Sequence, residues 1–240
     1  MPCYCRKKTA NMFQFKQFSI EDNLSTMKVG TDAVLLGAWV DCCKATDILE
    51  IGSGSGVIAL MLAQRSSARI LGVDIHPDSV LQARSNADRT PWKQRVKFQC
   101  ADIVDFSRKA EQKFDLIVSN PPFFEHALLS PKEERNMSRH TNTLSFGDLL
   151  NSVRQLLTAD GNFSLIVPID AAESIARQSG MYVTRWCEVI PKKGKNAHRC
   201  MLNFSFSPAK TEKSSITIRT EKGDYSSEYR QMTQDFYLKL

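Results

Sequence analysis

The segment Asp47-Ile48-Leu49-Glu50-Ile51-Gly52-Ser53-Gly54-Ser55-Gly56 restricts the fold of this chain more than any other. Its first half reads as a buried strand, and Val57 to Gln64 reads as a helix immediately after the glycines. Glycine allows the tight strand-to-helix reversal and leaves the backbone bare enough for a ligand to lie on it. A strand that enters a helix this way generally returns to pair in parallel with a neighbour. The next apolar run, Arg69 to Asp74, is well placed to be that neighbour.

The same alternation continues down the chain. Val96 to Cys100, Phe114 to Ser119, Phe163 to Val167 and Tyr182 to Ile190 read as further strands. Met201 to Phe206 alternates apolar and polar residues, as a final antiparallel strand would, and Ser215 to Arg219 can add an edge. Helices are expected from Pro77, over Ser145 to Leu157 with an ending near Asp160-Gly161, and after Pro168. Tyr229, Met232, Phe236 and Tyr237 recur at helical spacing within Glu228 to Leu238. The expected class is therefore α/β, a mostly parallel sheet with helices on both faces. Residues 1–11 read as a flexible N-terminal extension and 12–240 as a single domain. The connection 124–143 is long enough to suggest a lid, a binding loop or a disordered segment.

Composition narrows the function classes. Gly and Pro together make up only 20 of 240 residues, which argues against a fibrous or disordered chain. The longest apolar stretch, Val57 to Ala63, falls far short of the ~20 residues that span a bilayer, so no membrane partner is expected. The seven cysteines form no C-x-x-C pair, which reads as reduced thiols in a cytoplasmic protein. The net charge of +6 is local in origin. Lys192, Lys193, Lys195 and Arg199 lie in a stretch without acids, and such clusters either neutralise phosphates or form a solvated loop.

Two constellations carry chemistry. Asp74 ends its strand about 20 residues after the glycines, where its oxygens suit the paired hydroxyls of a ribose. The alternating glycines depart from the usual dinucleotide pattern, and Glu50 just before them would repel a pyrophosphate but attract an ammonium group. Both features favour S-adenosylmethionine over NAD. The second constellation is Asn120-Pro121-Pro122-Phe123, at the carboxyl end of Phe114–Ser119. The lone pair of an exocyclic amine on a nucleobase is delocalised into the ring. The Asn120 side-chain oxygen and the Pro121 carbonyl can each accept one of its hydrogens, holding the nitrogen so that its lone pair turns towards a cofactor methyl. Two prolines stiffen the turn before the base arrives, and Phe123 offers a ring for stacking. A chance match to this tetrapeptide is on the order of one in a thousand.

Other residues have two readings each. Asp102 can accept from the cofactor's adenine amine or cap a helix from Ile103 onward. Asp32, after Lys28 and Thr31, can cap the helix that follows or reach the cofactor's methionine end. His126, His140 and His198 stand alone, and no spacing suggests a catalytic metal.

Glu50 to Gly56 with Asp74 and Asn120 to Phe123 resembles the class I S-adenosylmethionine methyltransferases that act on exocyclic amines. Lys28 to Trp39, Gly223 to Tyr229 and Thr233 to Leu238 are similar to the bacterial tRNA1(Val) adenine-N6 methyltransferase family. The resemblance covers about residues 12–240. It implies a Rossmann-like domain with a seven-stranded sheet ending in an antiparallel hairpin. It also implies methyl transfer to adenine 37 in the anticodon loop of tRNA1(Val). Carried over, Asn120, Pro121, Pro122 and Phe123 hold the adenine. Glu50, Gly52, Gly54, Gly56, Asp74 and Ile75 hold the cofactor, together with Lys28, Asp32, Asp102, Ile103 and Asn120. Lys192, Lys193, Lys195 and Arg199 are expected on the tRNA backbone. Related N-P-P-[FY] enzymes methylate DNA adenine, rRNA guanine or protein glutamine, and a non-catalytic cofactor-binding RNA module is a further alternative. A monomer is favoured.

Overall fold

The computed structural model describes residues 12–122 and 144–239. Phe123 and the connection 124–143 lie outside the described residues, as do residues 1–11. A short hairpin, β1 (Met12–Gln14) with β2 (Ser19–Glu21), leads into helix α1 (Thr31–Trp39). Three strand–helix units follow: β3 (Asp47–Ile51) with α2 (Val57–Arg65), β4 (Arg69–Asp74) with α3 (Pro77–Asp88), and β5 (Val96–Cys100) with α4 (Ile103–Lys109). Next come β6 (Phe114–Ser119), α5 (Phe146–Leu156), β7 (Leu157–Pro168) and α6 (Ile169–Gln178). The chain ends with β8 (Tyr182–Lys192), β9 (Arg199–Ser205), β10 (Glu212–Arg219) and α7 (Ser227–Thr233).

The main sheet has eight strands in the order β10-β8-β9-β7-β6-β3-β4-β5. Only β9 runs against the others: it pairs antiparallel with both β7 and β8, whereas β10 pairs parallel with β8. The seven strands expected are thus exceeded by the edge strand β10. The antiparallel strand is inserted inside the sheet rather than ending it. Apolar side chains on β3 alternate between the two faces, which is what a strand covered on both sides requires. Ile48 joins the core under α1 and α2, and Leu49 the core under α4, α5 and α6.

Local signals set several boundaries. Pro77 occupies the first turn of α3, and the Ser145 hydroxyl caps α5 by accepting from Asp148 N at 3.1 Å. Asp160-Gly161 does not separate helix from strand as expected. β7 begins at Leu157, paired with Phe114, and the two residues fall in a register shift within the strand. At the other end of the chain α7 closes at Thr233, and Phe236 and Tyr237 follow it as non-helical chain, with the Tyr237 ring against Phe15 and Tyr229.

Candidate active site

Because β6, β3, β4 and β5 are parallel neighbours, their carboxyl ends bring Asn120, Gly52, Asp74 and Asp102 to one edge of the sheet. Ligands bind at this edge in open α/β folds. The glycine loop is held from two sides. Gly52 N donates to Val73 O at 2.8 Å, and Gly54 N donates to Asp74 Oδ2 at 2.7 Å. The other Asp74 oxygen accepts from His76 N at 2.9 Å, so this one carboxylate shapes both its own turn and the glycine loop.

Gly52 and Gly56 need to be glycine for different reasons. Gly52 has φ of 72° and open space where a Cβ would stand. Gly56 has φ of 81°, and its Cβ would meet the Phe98 ring at 2.7 Å, so it serves the packing of α2 on the sheet. Gly54 has φ of 51° and faces the Ser25 hydroxyl.

Glu50 is fully buried, and its Oε2 accepts from Ala59 N at 3.0 Å in the first turn of α2. Burial raises its carboxyl well above the ordinary range, and the charge of Asp74 adds to the rise. Asp102 caps α4, with Oδ1 accepting from Val104 N and Asp105 N. Ile75 is 42% exposed at the end of β4, whereas the Ile103 side chain is buried among the core residues of α5. The glycine cradle and its two flanking acids suit S-adenosylmethionine, which has a ribose, an ammonium group and no phosphate.

At the end of β6, Ser119 Oγ donates to Ile51 O at 3.0 Å and ties the asparagine turn to the glycine strand. Pro121 is buried and Pro122 exposed. The Asn120 Oδ1 is buried without a hydrogen-bond partner among the described residues. A buried acceptor left unpaired costs about 1–3 kcal/mol, which singles this oxygen out among the described residues.

Two expectations for the N-terminal segment change. Asp32 does not cap α1, whose N-cap is Gly30 and has no side-chain cap bond. Instead it accepts from Arg199 Nε at 2.9 Å, with both side chains only about one quarter exposed. Arg199 therefore begins β9 in an ion pair rather than joining the solvated lysines. Lys28 donates to Asp22 O at 2.6 Å and pairs with Asp22 Oδ1 at 3.2 Å, closing a loop over 22–29. No sequence pattern pointed to that closure. Lys192, at the end of β8, and Lys193 and Lys195, on the turn after it, are exposed, and Lys193 pairs with Glu221 at 3.3 Å. Since β8 is parallel to β6, this turn stands on the same edge as Asn120. Three strand spacings, about 15 Å, separate the two strands laterally, and β8 runs several residues past the level of Asn120. Among the described residues no three His, Cys, Asp or Glu side chains group as metal ligands. None of their helices is long and apolar enough to cross a membrane.

Comparison with known proteins agrees with this geometry. A family model described as a methyltransferase domain matches residues 43–223. A predicted O-methyltransferase from Agrobacterium tumefaciens superimposes with a TM-score of 0.66 at 17% identity, covering 85% of this chain and 96% of its own, which speaks for the fold. Two curated relatives share far more sequence, and both are tRNA1(Val) (adenine(37)-N6)-methyltransferases. The one from Histophilus somni is 41% identical, covering 95% of this chain and 98% of its own. The one from Phocaeicola vulgatus is 43% identical with the same coverage. Likeness at that level over nearly the whole of each chain places this protein among them: the chain belongs to the tRNA1(Val) (adenine(37)-N6)-methyltransferase family.

Proposed function

We propose that this protein transfers the methyl group of S-adenosylmethionine to N6 of adenine 37 in tRNA1(Val), in the cytoplasm. The observation that carries the reading is the Asn120 Oδ1 beside the glycine loop, buried and without a partner among the described residues. A buried acceptor with no partner among the described residues suits an incoming N–H, and an adenine amine brings two.

S-adenosylmethionine supplies an electrophilic methyl carbon on a sulfonium. The chain's own part is to place and hold the two reactants. Gly52 and Gly54 would cradle the cofactor and Asp74 would take its ribose hydroxyls, while the buried Glu50 holds the start of α2 behind the glycine loop. Asp102 and Ile75 flank the adenine ring, the first accepting from its amine and the second covering its face. Across the edge, Asn120 Oδ1 and the Pro121 carbonyl accept the two hydrogens of the target amine. This fixes the nitrogen in line with the methyl carbon and is an orientation effect. Bound in the cradle, S-adenosylmethionine would give up its methyl to the amine and leave as a neutral thioether, and the amine, held at Asn120 and Pro121, would release one proton to solvent. Lys192, Lys193 and Lys195, on the same edge of the sheet, offer positive charge to the phosphates of a bound tRNA.

Incubation with methyl-labelled S-adenosylmethionine and tRNA lacking the modification, followed by digestion to nucleosides, tests the substrate. Label in N6-methyladenosine from one valine tRNA is the expected result. Label in another nucleoside, or only in protein, would contradict the reading.

A further inference from the structure

The loop 22–29 lies over the glycine loop, and the face of α3 holds it there. Ser79, Gln82 and Asn86 follow one another along one side of that helix, all buried to within 3%. Each accepts a backbone N–H from the passing chain: Thr26 N to Ser79 Oγ at 3.4 Å, Leu24 N to Gln82 Oε1 at 3.3 Å, and Glu21 N to Asn86 Oδ1 at 3.0 Å. Asn86 does more than the other two. Its amide nitrogen donates to Glu21 O and to Ser55 O, both at 2.8 Å, and Ser55 belongs to the glycine loop. One fully buried side chain thus joins the end of β2, where the strap begins, to the glycine loop and to the helix that follows Asp74. At its far side the strap is closed by Asp22, which binds Lys28 and Val29 N, and it carries the Ser25 hydroxyl towards Gly54.

We infer that Asn86, supported by Gln82, is a positioning residue that sets cofactor affinity by locking the 22–29 strap to the glycine loop. The inference rests on the proposal that S-adenosylmethionine occupies the glycine cradle. Asn86 touches neither reactant in this arrangement. It acts through Ser55 and Glu21, so its loss loosens the cradle and leaves the amine acceptors at Asn120 and Pro121 untouched.

Calorimetric titration with S-adenosylmethionine, beside steady-state kinetics on tRNA, tests this on wild type, Asn86→Leu and Gln82→Leu. Asn86→Leu is expected to raise the dissociation constant and KM for S-adenosylmethionine about tenfold, and Gln82→Leu about threefold, the scale of one net hydrogen bond or less. The KM for tRNA, and kcat at saturating cofactor, should stay within twofold of wild type. A purely structural role would instead lower the active fraction, and kcat with it, at unchanged cofactor affinity, and that result would overturn the inference. Should Asn86→Leu fail to fold, unchanged cofactor affinity in Gln82→Leu overturns it equally. Wild type that does not bind S-adenosylmethionine is a different failure: it removes the cradle reading first and the inference with it.

Discussion

The two halves of the catalytic edge are built differently. On the β3–β4–β5 side every acid is already engaged: Glu50 accepts from Ala59 N, Asp74 from Gly54 N and His76 N, and Asp102 from Val104 N and Asp105 N. On the β6 side the Asn120 oxygen is buried and has no partner among the described residues. The first half spends its polar groups on holding a shape, so that a ligand meets a finished surface. The second keeps an acceptor in reserve. A cofactor used in every turnover gains from a rigid cradle, whereas an amine that must be activated gains from acceptors with nothing else to bind.

That contrast can be broken from the cofactor side first. Gly52→Val forces a β-branched residue to φ of 72° and puts its side chain into the open cradle. It should cost about 1–2 kcal/mol of stability. Affinity for S-adenosylmethionine should fall about 100-fold, equivalent to ~2.7 kcal/mol. Denaturant melts and calorimetry read the two effects, and near-normal binding would show that the cradle is not where the cofactor lies.

A smaller effect is expected at the substrate rim. Replacing Lys192, Lys193 and Lys195 together with alanine should weaken tRNA binding about tenfold and flatten the slope of log affinity against log salt by about 2 to 3. Lys193 contributes least, because Glu221 already balances its charge. Cofactor affinity should not move. An unchanged salt slope would return these lysines to the status of a solvated turn.

The smallest effect concerns the buried acid. The folded-state value of Glu50 lies well above the ~4.3 of an unfolded chain, so between those values the folded protein binds more protons than the unfolded one. Stability from this group is therefore complete below about pH 4 and declines as pH rises through the folded value. Glutamine mimics the protonated form. Glu50→Gln should match wild type near pH 5 and melt higher at pH 8, by about 2–4 °C for each kcal/mol recovered. Thermal melts of ligand-free protein at both values check the sign.

What could be read from the sequence was what sequence makes local. The strand, the three glycines and Asp74 lie within 28 residues, from Asp47 to Asp74, and their periodicity and turn chemistry signal the structure directly. Asn120 was legible for the same reason, as the end of an apolar strand stiffened by two prolines. The strap was not legible. Its hydrogen bonds to α3 cross 53 to 65 residues, and residues such as Gln82 and Asn86 look like ordinary exposed helix polars until the fold buries them. The Asp32–Arg199 pair spans 167 residues, so each partner was assigned to a different role. At Asp160-Gly161 a strong local turn signal lost to tertiary pairing between Phe114 and Leu157. The insertion of β9 between β7 and β8 likewise follows from sheet packing that no local pattern records.

The central claim is that Asn120 holds the amine and leaves the cofactor alone. Its most direct test is a single preparation of Asn120→Ala, measured for both S-adenosylmethionine binding and single-turnover methyl transfer to tRNA. Cofactor affinity within twofold of wild type, with transfer slowed roughly 10²–10³-fold, is the predicted result, on the scale of removing one preorganised hydrogen-bonding group from a reacting centre. Transfer at the wild-type rate, or a loss explained wholly by weaker cofactor binding, would contradict it.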